Sequence, residues 1–321
     1  MADDDENREE ETLDMRARAG LERLKIGSAP PPTKLWTGLV THHRDIFVSH
    51  VLPKLNKTDW YFFSKVDDES RDVLEYAGVN VLALGVCVAD CSSISMLELA
   101  WNVFDWGKHN QAMFCLAVAV TNKLEFLKWA REEKKCEWDE WTSTFAAQND
   151  NLEMLKYCVD NGCPVQKDLS SIIAQLGHLN VLKFLIGEKK FEYNVRAVIT
   201  GAASSGNLDM LKYLVEDKKH NDEWSYFAGF LASAGDGHLD CVKYFVETPN
   251  IMEVLRDWYA IAHARFHERH EVLNYLREKD FPEPTEEMYA EFAAREQERE
   301  AEIRVKLENI RQKILANAGI T

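Results

Sequence analysis

The sequence predicts an all-α fold of about seven stacked helix pairs, because one short motif recurs along the chain. The clear copies of this repeat motif begin at Asn122, Asp150, Gly177, Gly206 and Gly237. Weaker copies surround Ile94 and His270. Successive copies lie about thirty residues apart, a period typical of units that stack on their neighbours. No segment alternates apolar and polar residues for long enough to predict a sheet.

The unit from 139 to 167 shows how one repeat is predicted to fold. Asp139 is a capping residue, so we expect a short first helix to start directly after it. An apolar stripe with helical spacing runs from Leu152 to Val159 and predicts the second helix. Gly162 and Pro164 end that helix and start the connection to the next unit.

The repeat motif itself predicts a turn and an exposed edge. Its first residue is Asn, Asp or Gly, the types that tolerate the left-handed backbone of a tight turn between helices. An acid or amide is followed three residues later by a lysine in Glu125/Lys128, Glu153/Lys156, Asn180/Lys183, Asp209/Lys212 and Asp240/Lys243. We interpret these pairs as a solvated outer edge with weak pairing rather than as a charged functional site.

These segments resemble a known repeat family. Gly177–Leu185 resembles the second helix of an ankyrin repeat, and Asn161–Val165 resembles its closing loop. Cys136–Trp141 is similar to a linker of divergent ankyrin arrays. The resemblance covers residues 78–284 and implies stacked helix pairs that bind proteins on a concave side. The Thr-Pro-Leu-His opening of a typical repeat is absent and the period is short, so long hairpins between the repeats are not implied.

The segments before the array differ in composition. Residues 1–34 comprise an acidic run, which we expect to be disordered, and a stiff Pro-rich linker. Residues 35–77 predict short helices. Their inward side chains would be Ile46, Val51, Leu55, Phe62, Phe63 and Val66. Such a segment serves as a cap that covers the apolar flank of the first repeat.

Residues 45–71 also weakly resemble an F-box, a helical module that docks on a Skp1-like adaptor of cullin-type ubiquitin ligases. The matching positions are Leu52, Pro53, Leu55, Asp59, Phe63, Val66 and Arg71. No Leu-Pro pair opens the motif at its usual place. The sequence leaves both interpretations open. A cap would bury this segment against Val79–Leu84, whereas an F-box would keep part of its apolar face exposed.

Residues 285–321 predict a long C-terminal helix rich in Glu, Arg, Ala and Gln. The apolar residues of this helix form a sparse stripe at Met288, Phe292, Ile303, Leu307, Ile310 and Ile314. We expect the helix to cap the last repeat or to project from it. A partner-binding coiled coil is the alternative, although the spacing over the whole stripe is too irregular for clean heptads.

Composition limits the classes of partner. A net charge of −16 argues against nucleic-acid binding, which needs concentrated basic residues. The longest apolar run is too short to cross a membrane. Seven cysteines without a CxxC pair are ordinary in a reducing compartment, and the N-terminus is acidic where a signal peptide is basic. We therefore expect a cytoplasmic protein, with a nuclear location also open.

The sequence contains only weak matches to catalytic and metal-binding motifs. His263, His267 and His270 lie close together, but the intervening residues do not form a zinc-protease motif. Gly201–Gly206 lacks the Lys-Ser/Thr of a phosphate loop. We therefore expect no enzyme activity, no metal and no cofactor.

The predicted function is non-catalytic binding of a partner protein by the side built from first helices and connecting loops. The residues expected to face that partner are Trp138, Glu140, Gln166, Lys167, Lys190, Tyr193, Lys219, His220 and Asp222. The alternative is a substrate receptor of a cullin-type ubiquitin ligase, in which 45–71 recruits the adaptor and the repeats hold the substrate.

Overall fold

The computed structural model describes residues 42–103, 108–217, 222–248 and 255–317. Helices form all of the regular structure over these ranges, so the all-α prediction is confirmed for the described part of the chain. The predicted acidic tail and Pro-rich linker lie outside the described residues. The chain divides into two compact units, Met1–Gln166 and Lys167–Thr321, and each unit is treated by itself below.

The first unit begins with short helical turns and two α-helices. The turns are Arg44–Ile46, the π-helical Phe47–Val51 and the 3-10 turns Leu52–Lys54, Val81–Ala83 and Val88–Asp90. Helix α1 spans Lys57–Ser64 and helix α2 spans Asp68–Tyr76. Asn56 and Asp59 form a reciprocal capping box that fixes the start of α1.

A small apolar core holds this N-terminal segment together. Phe47, Leu52, Val73 and Leu74 are buried at its centre. The ring of Phe63 stacks on that of Phe47, with the ring centroids 5.3 Å apart. The half-buried residues packed around this core include Val51, Leu55, Trp60, Val79, Val81 and Leu84. The apolar face of the segment therefore packs against the chain that leads into the first repeat.

Two of the residues expected to point inward do not. Ile46 and Val66 are both exposed. The first segment forms a π-helical turn from Phe47 instead of a regular α-helix, which moves the buried position from Ile46 to Phe47. Val66 lies beyond the end of α1, where helical spacing no longer fixes the direction of a side chain.

The rest of the first unit consists of helices α3 to α7, of which the last four form two pairs. They span Ile94–Val103, Lys108–Val120, Leu124–Glu132, Glu140–Gln148 and Leu152–Asp160. The two first helices, α4 and α6, pack on each other. The Asp139 side chain accepts a hydrogen bond from the Trp141 backbone N–H, so the predicted cap of α6 is confirmed. Trp101 and Trp129 both pack on the buried Phe114.

The described residues of the second unit form four helix pairs. The first helices are α8 (Leu169–Leu176), α10 (Val195–Ser204), α12 (Glu223–Asp236) and α14 (Tyr259–Phe266). The second helices are α9 (Leu179–Leu182), α11 (Leu208–Lys212), α13 (Leu239–Glu247) and α15 (His270–Glu278). Helices α9 and α11 continue as π-helical turns over Lys183–Glu188 and Tyr213–Asp217. Each first helix packs on the next, in the order α8, α10, α12, α14.

The predicted turns within the repeats are confirmed. The residue that opens the repeat motif has a left-handed backbone in all five clear copies. The φ angles are 59° at Asn122, 54° at Asp150, 78° at Gly177, 68° at Gly206 and 89° at Gly237. Glu268, with φ of 58°, starts the turn of the weak copy around His270. The recurring residue types therefore mark positions where an L-residue with a bulky side chain is strained.

Consecutive turns are joined by hydrogen bonds from the residue that follows each opening residue. These bonds join Asn151 Nδ2 to Asn122 O at 3.2 Å, Asn207 Nδ2 to Gly177 O at 2.8 Å, His238 Nε2 to Ser204 O at 2.7 Å and Arg269 Nε to Gly235 O at 2.9 Å. Asn, His and Arg share an N–H donor of suitable reach. His238 therefore has a structural role in the repeat turn, and the sequence did not predict this set of bonds.

Contacts between neighbouring repeats help to hold the outer edge of the array. Motif lysines lie over rings of the next repeat: Lys128 over Tyr157 at 5.6 Å, Lys183 over Tyr213 at 5.1 Å and Lys243 over Tyr275 at 5.8 Å. Motif tyrosines donate to the preceding repeat: Tyr157 to Glu132, Tyr244 to Glu216 and Tyr275 to Glu247. Burial, together with the Glu132 carboxylate, raises the pKa of Tyr157 to about 12.

The C-terminal helix α16 spans Glu286–Asn317. Its first turns pack on α14, where Phe292 is buried. Arg265 fixes this contact, since its guanidinium bonds both carboxylate oxygens of Glu286 at 3.1 Å and lies 3.8 Å from the Tyr289 ring centroid. From Gln297 to Gln312 every side chain is exposed. The helix therefore covers α14 with its start only.

Candidate functional site

The second unit contains an open aromatic pocket between α12, α14 and the start of α16. Its volume is about 370 Å³. The lining residues are Phe227, Leu231, Trp258, Tyr259, His263, Met288, Glu291, Phe292, Arg295 and Glu296. The volume and the aromatic side chains of the lining match a site for an apolar side chain or a small ligand. The pocket lies on the first-helix side of this unit.

The shape of the aromatic pocket is set by ring packing around Phe292. Phe292 is only 6% exposed and meets Trp258 and Tyr259 edge to face, with centroid distances of 6.3 and 6.2 Å. Trp258 and Tyr259 are stacked with their ring centroids 4.1 Å apart. The His263 ring meets Phe292 at 4.8 Å. These contacts restrain the rings, which lowers the entropic cost of binding against them.

The charged groups of the aromatic pocket lie along α16. Glu291 pairs with Arg295 at 3.8 Å, and Glu296 pairs with Arg299 at 3.4 Å. Burial lowers the pKa of His263, although the nearby Glu296 carboxylate acts in the opposite direction. His263 is therefore held in its neutral form near neutral pH. The pocket thus presents apolar walls with ion pairs at one side.

Two aromatic residues, the exposed Trp224 and the half-buried Phe227, extend the pocket along α12. Trp224, at the start of α12, is 67% exposed, and its ring meets Phe227 edge to face at 6.4 Å. Phe227 in turn lines the aromatic pocket. An exposed tryptophan beside an open pocket is the arrangement that protein interfaces use as an energetic anchor. Trp224 was not among the residues that the sequence predicted to face a partner.

In the first unit the predicted site residues have different surroundings. Trp138 is half-buried, with the Arg131 guanidinium 3.9 Å from its ring centroid and the Tyr157 ring edge to face at 6.1 Å. These contacts attach Trp138 to the second helices α5 and α7. Glu140 is exposed in the first turn of α6, and Gln166 is half-buried. Trp141, which is exposed on α6, presents more free aromatic surface than Trp138.

In the second unit the predicted residues lie in the loops before first helices. Lys167 and Lys190 are exposed, and Tyr193 is half-buried, which raises the pKa of its hydroxyl. Asp222 is exposed at the start of α12 and accepts a hydrogen bond from the Ser225 hydroxyl. Lys219 and His220 lie outside the described residues. Asp222 is therefore the predicted residue nearest in sequence to Trp224 and Phe227.

The titratable groups of the described residues do not assemble into a metal site. The rings of His263 and His267 stack with centroids 6.4 Å apart, and the described ranges contain no group of three or more His, Cys, Asp or Glu suited to a metal ion. Burial raises the pKa of Cys91 to about 12 and that of Cys241 to about 11. These two thiols therefore stay protonated and poorly nucleophilic near neutral pH.

Comparison with known proteins adds no relative. No protein-family model matches the chain, and neither a curated protein nor a solved structure matches it. Over the part of the chain that the structure describes, no helix is both long and apolar enough to span a membrane. The functional assignment therefore depends on the site geometry.

Proposed function

We propose that this chain is a non-catalytic ankyrin-like array that binds a partner protein on the first-helix side of its second unit. The partner places an apolar side chain in the aromatic pocket, and Trp224 packs on the surface beside it. In an ankyrin array this side is concave and is the usual binding surface. The observation that carries the proposal is the juxtaposition of the exposed Trp224, Phe227 and the open pocket on one side of α12 and α14.

Three features support an ankyrin-like arrangement. Left-handed turns recur with the period of the repeat motif, first helices pack on first helices within each unit, and hydrogen bonds join successive turns. Each feature repeats from one helix pair to the next, as nearest-neighbour stacking requires. Stacked arrays bind other proteins through extended surfaces, so this arrangement agrees with the role proposed for the pocket.

The ligase-receptor alternative receives less support from the packing of residues 45–71. Leu52 is buried, and Phe63 packs on Phe47 within the core that includes Val79 and Leu84. An F-box would need these apolar groups for the adaptor. We therefore favour the cap. The double substitution Leu55→Asp with Phe63→Asp should unfold this segment, whereas an F-box variant would fold normally and lose a co-purifying Skp1-like protein.

Differential capture tests the proposed site. The immobilised full-length protein is exposed to an extract of its own cells, in parallel with a Trp224→Ala/Phe227→Ala variant. We expect at least one protein to bind the wild type and to bind the variant roughly thirtyfold more weakly, the effect of losing an aromatic anchor. Trp224 is exposed and Phe227 is half-buried, so circular dichroism should show an unchanged helical fold.

The matched control is Trp141→Ala, which removes an exposed tryptophan from a first helix of the first unit. This variant should capture the same protein as the wild type. The proposal fails if no captured protein depends on Trp224 and Phe227. It also fails if capture depends on Trp141 instead, because the partner would then bind the first unit.

A further inference from the structure

The projecting part of α16 carries a second apolar surface, separate from the aromatic pocket. Ile303, Leu307 and Ile310 are 46%, 61% and 54% exposed. They are spaced by four and three residues. This spacing places the three residues on one helical face, and we call them the apolar seam. The spacing of the apolar residues is regular within the seam, whereas it is irregular along the whole of α16.

Three basic residues border the apolar seam. Arg304 and Lys306 flank its first half, and Arg311 flanks its end, at the positions that set partner choice when helices pack. The acidic residues Glu302 and Glu308 lie one step farther round the helix and pair with Lys306 and Arg311 at 3.8 and 3.7 Å. These pairs are exposed and therefore weak, so a partner can compete for the basic groups.

The positive charge of the flanking residues favours one kind of binding partner for the apolar seam. In a pair of identical helices the basic flanks would face each other, and like charges across a helix interface are unfavourable. A membrane surface would attract the basic groups, but the seam is narrow and Glu302 and Glu308 lie next to its flanks. A helix with an apolar seam and acidic flanks satisfies both the apolar and the basic groups.

We propose that the C-terminal part of α16 is a helix-docking segment for a partner protein that presents an amphipathic helix with acidic flanks. The segment projects from the second unit, and its exposed side chains take no part in the burial of Phe292. The inference concerns a surface other than the aromatic pocket and does not depend on the proposed function. The chain would then carry two protein-binding surfaces.

The test uses the full-length protein and two synthetic helical peptides as probes. Both peptides carry Leu and Ile at their seam, and the flanking positions are Glu in one peptide and Lys in the other. We expect fluorescence anisotropy to show roughly tenfold tighter binding of the Glu peptide. A variant with Arg304, Lys306 and Arg311 all changed to Glu should reverse the preference. Leu307→Gln/Ile310→Gln should weaken the binding of both peptides.

Three results would overturn the inference. The first is equal affinity for the two peptides. The second is self-association in sedimentation velocity that Leu307→Gln/Ile310→Gln abolishes, which would identify a second copy as the occupant. The third is binding to phosphatidylserine vesicles, lost in the same variant, together with weak binding of the Glu peptide. The Trp224→Ala/Phe227→Ala variant should bind the Glu peptide normally, so failure at the two surfaces can be distinguished.

Discussion

At the scale of single residues, the first residue of a repeat motif has to meet both a backbone requirement and a packing requirement. Gly206 has φ of 68°, and a Cβ atom there would lie 2.5 Å from Nδ1 of His238. The His238 ring is itself held by its contact with Ser204 O at 2.7 Å. Gly206 is therefore restricted both by its left-handed backbone and by the side chain that joins it to the next turn.

Replacing Gly206 by Val should lower the free energy of unfolding by a few kcal/mol, roughly 3 or more, because backbone strain and steric overlap add. Chemical denaturation monitored by circular dichroism measures this change. Gly162→Val is the matched control, since Gly162 has φ of 78° and no neighbouring atom within 4 Å of a new Cβ. A Gly206 variant that costs no more than the Gly162 variant would remove the packing part of this explanation.

The neutral state of His263 predicts a pH dependence of stability. Its pKa is lowered from 6.5 in the folded state, so the unfolded chain binds a proton more readily. Its contribution is complete above pH 6.5 and is lost as the pH falls below that value. Between pH 7.5 and 5.5 the wild type should lose up to roughly 1 kcal/mol more stability than His263→Gln. Equal losses in urea denaturation would show that His263 is not held neutral.

At the scale of secondary-structure elements, the residue after each opening residue connects one helix pair to the next. Asn207 shows both of its roles. Its Oδ1 accepts from the Met210 N–H at 2.9 Å and caps α11, while its Nδ2 donates to Gly177 O at 2.8 Å. Asp caps a helix as well as Asn does but carries no donor. Replacing Asn207 by Asp therefore keeps the helix cap and removes the bond between repeats.

Asn207→Asp should lower the free energy of unfolding by about 1–3 kcal/mol, because the carboxylate faces the Gly177 carbonyl oxygen without a proton to donate. Asn194→Asp is the control, since Asn194 caps α10 through the same kind of bond to the Ala197 N–H. The control should change stability by less than about 0.5 kcal/mol. A similar cost for both substitutions would show that capping, and not the bond between turns, explains Asn207.

At the scale of secondary-structure elements, the sequence predicted part of the structure correctly. Helical spacing and turn residues predicted α6, α7 and the left-handed turns correctly, because these depend on interactions within a few residues. Ile46 and Val66 were predicted wrongly, because a π-helical turn and a helix end changed their direction. The aromatic pocket was not predicted, since Phe227, Tyr259 and Phe292 come together only when three helices pack.

At the scale of the whole molecule, the two proposed binding surfaces lie at different distances from the repeats. The aromatic pocket lies where the start of α16 covers α14. The apolar seam begins at Ile303, within the stretch from Gln297 to Gln312 in which every side chain is exposed. Rigid, close-packed rings are suited to receiving an anchor side chain. An exposed helix is suited to pairing with another helix.

Hydrogen–deuterium exchange of the protein with a partner identified by differential capture tests the central claim most directly. The partner should slow exchange in the first turns of α12 and α14 and around Phe292, because it covers the aromatic pocket and opposes local opening of these helices. Helices α13 and α15 serve as the internal reference and should be unchanged. Protection that appears on α13 and α15, or only within 57–76, would contradict binding on the first-helix side.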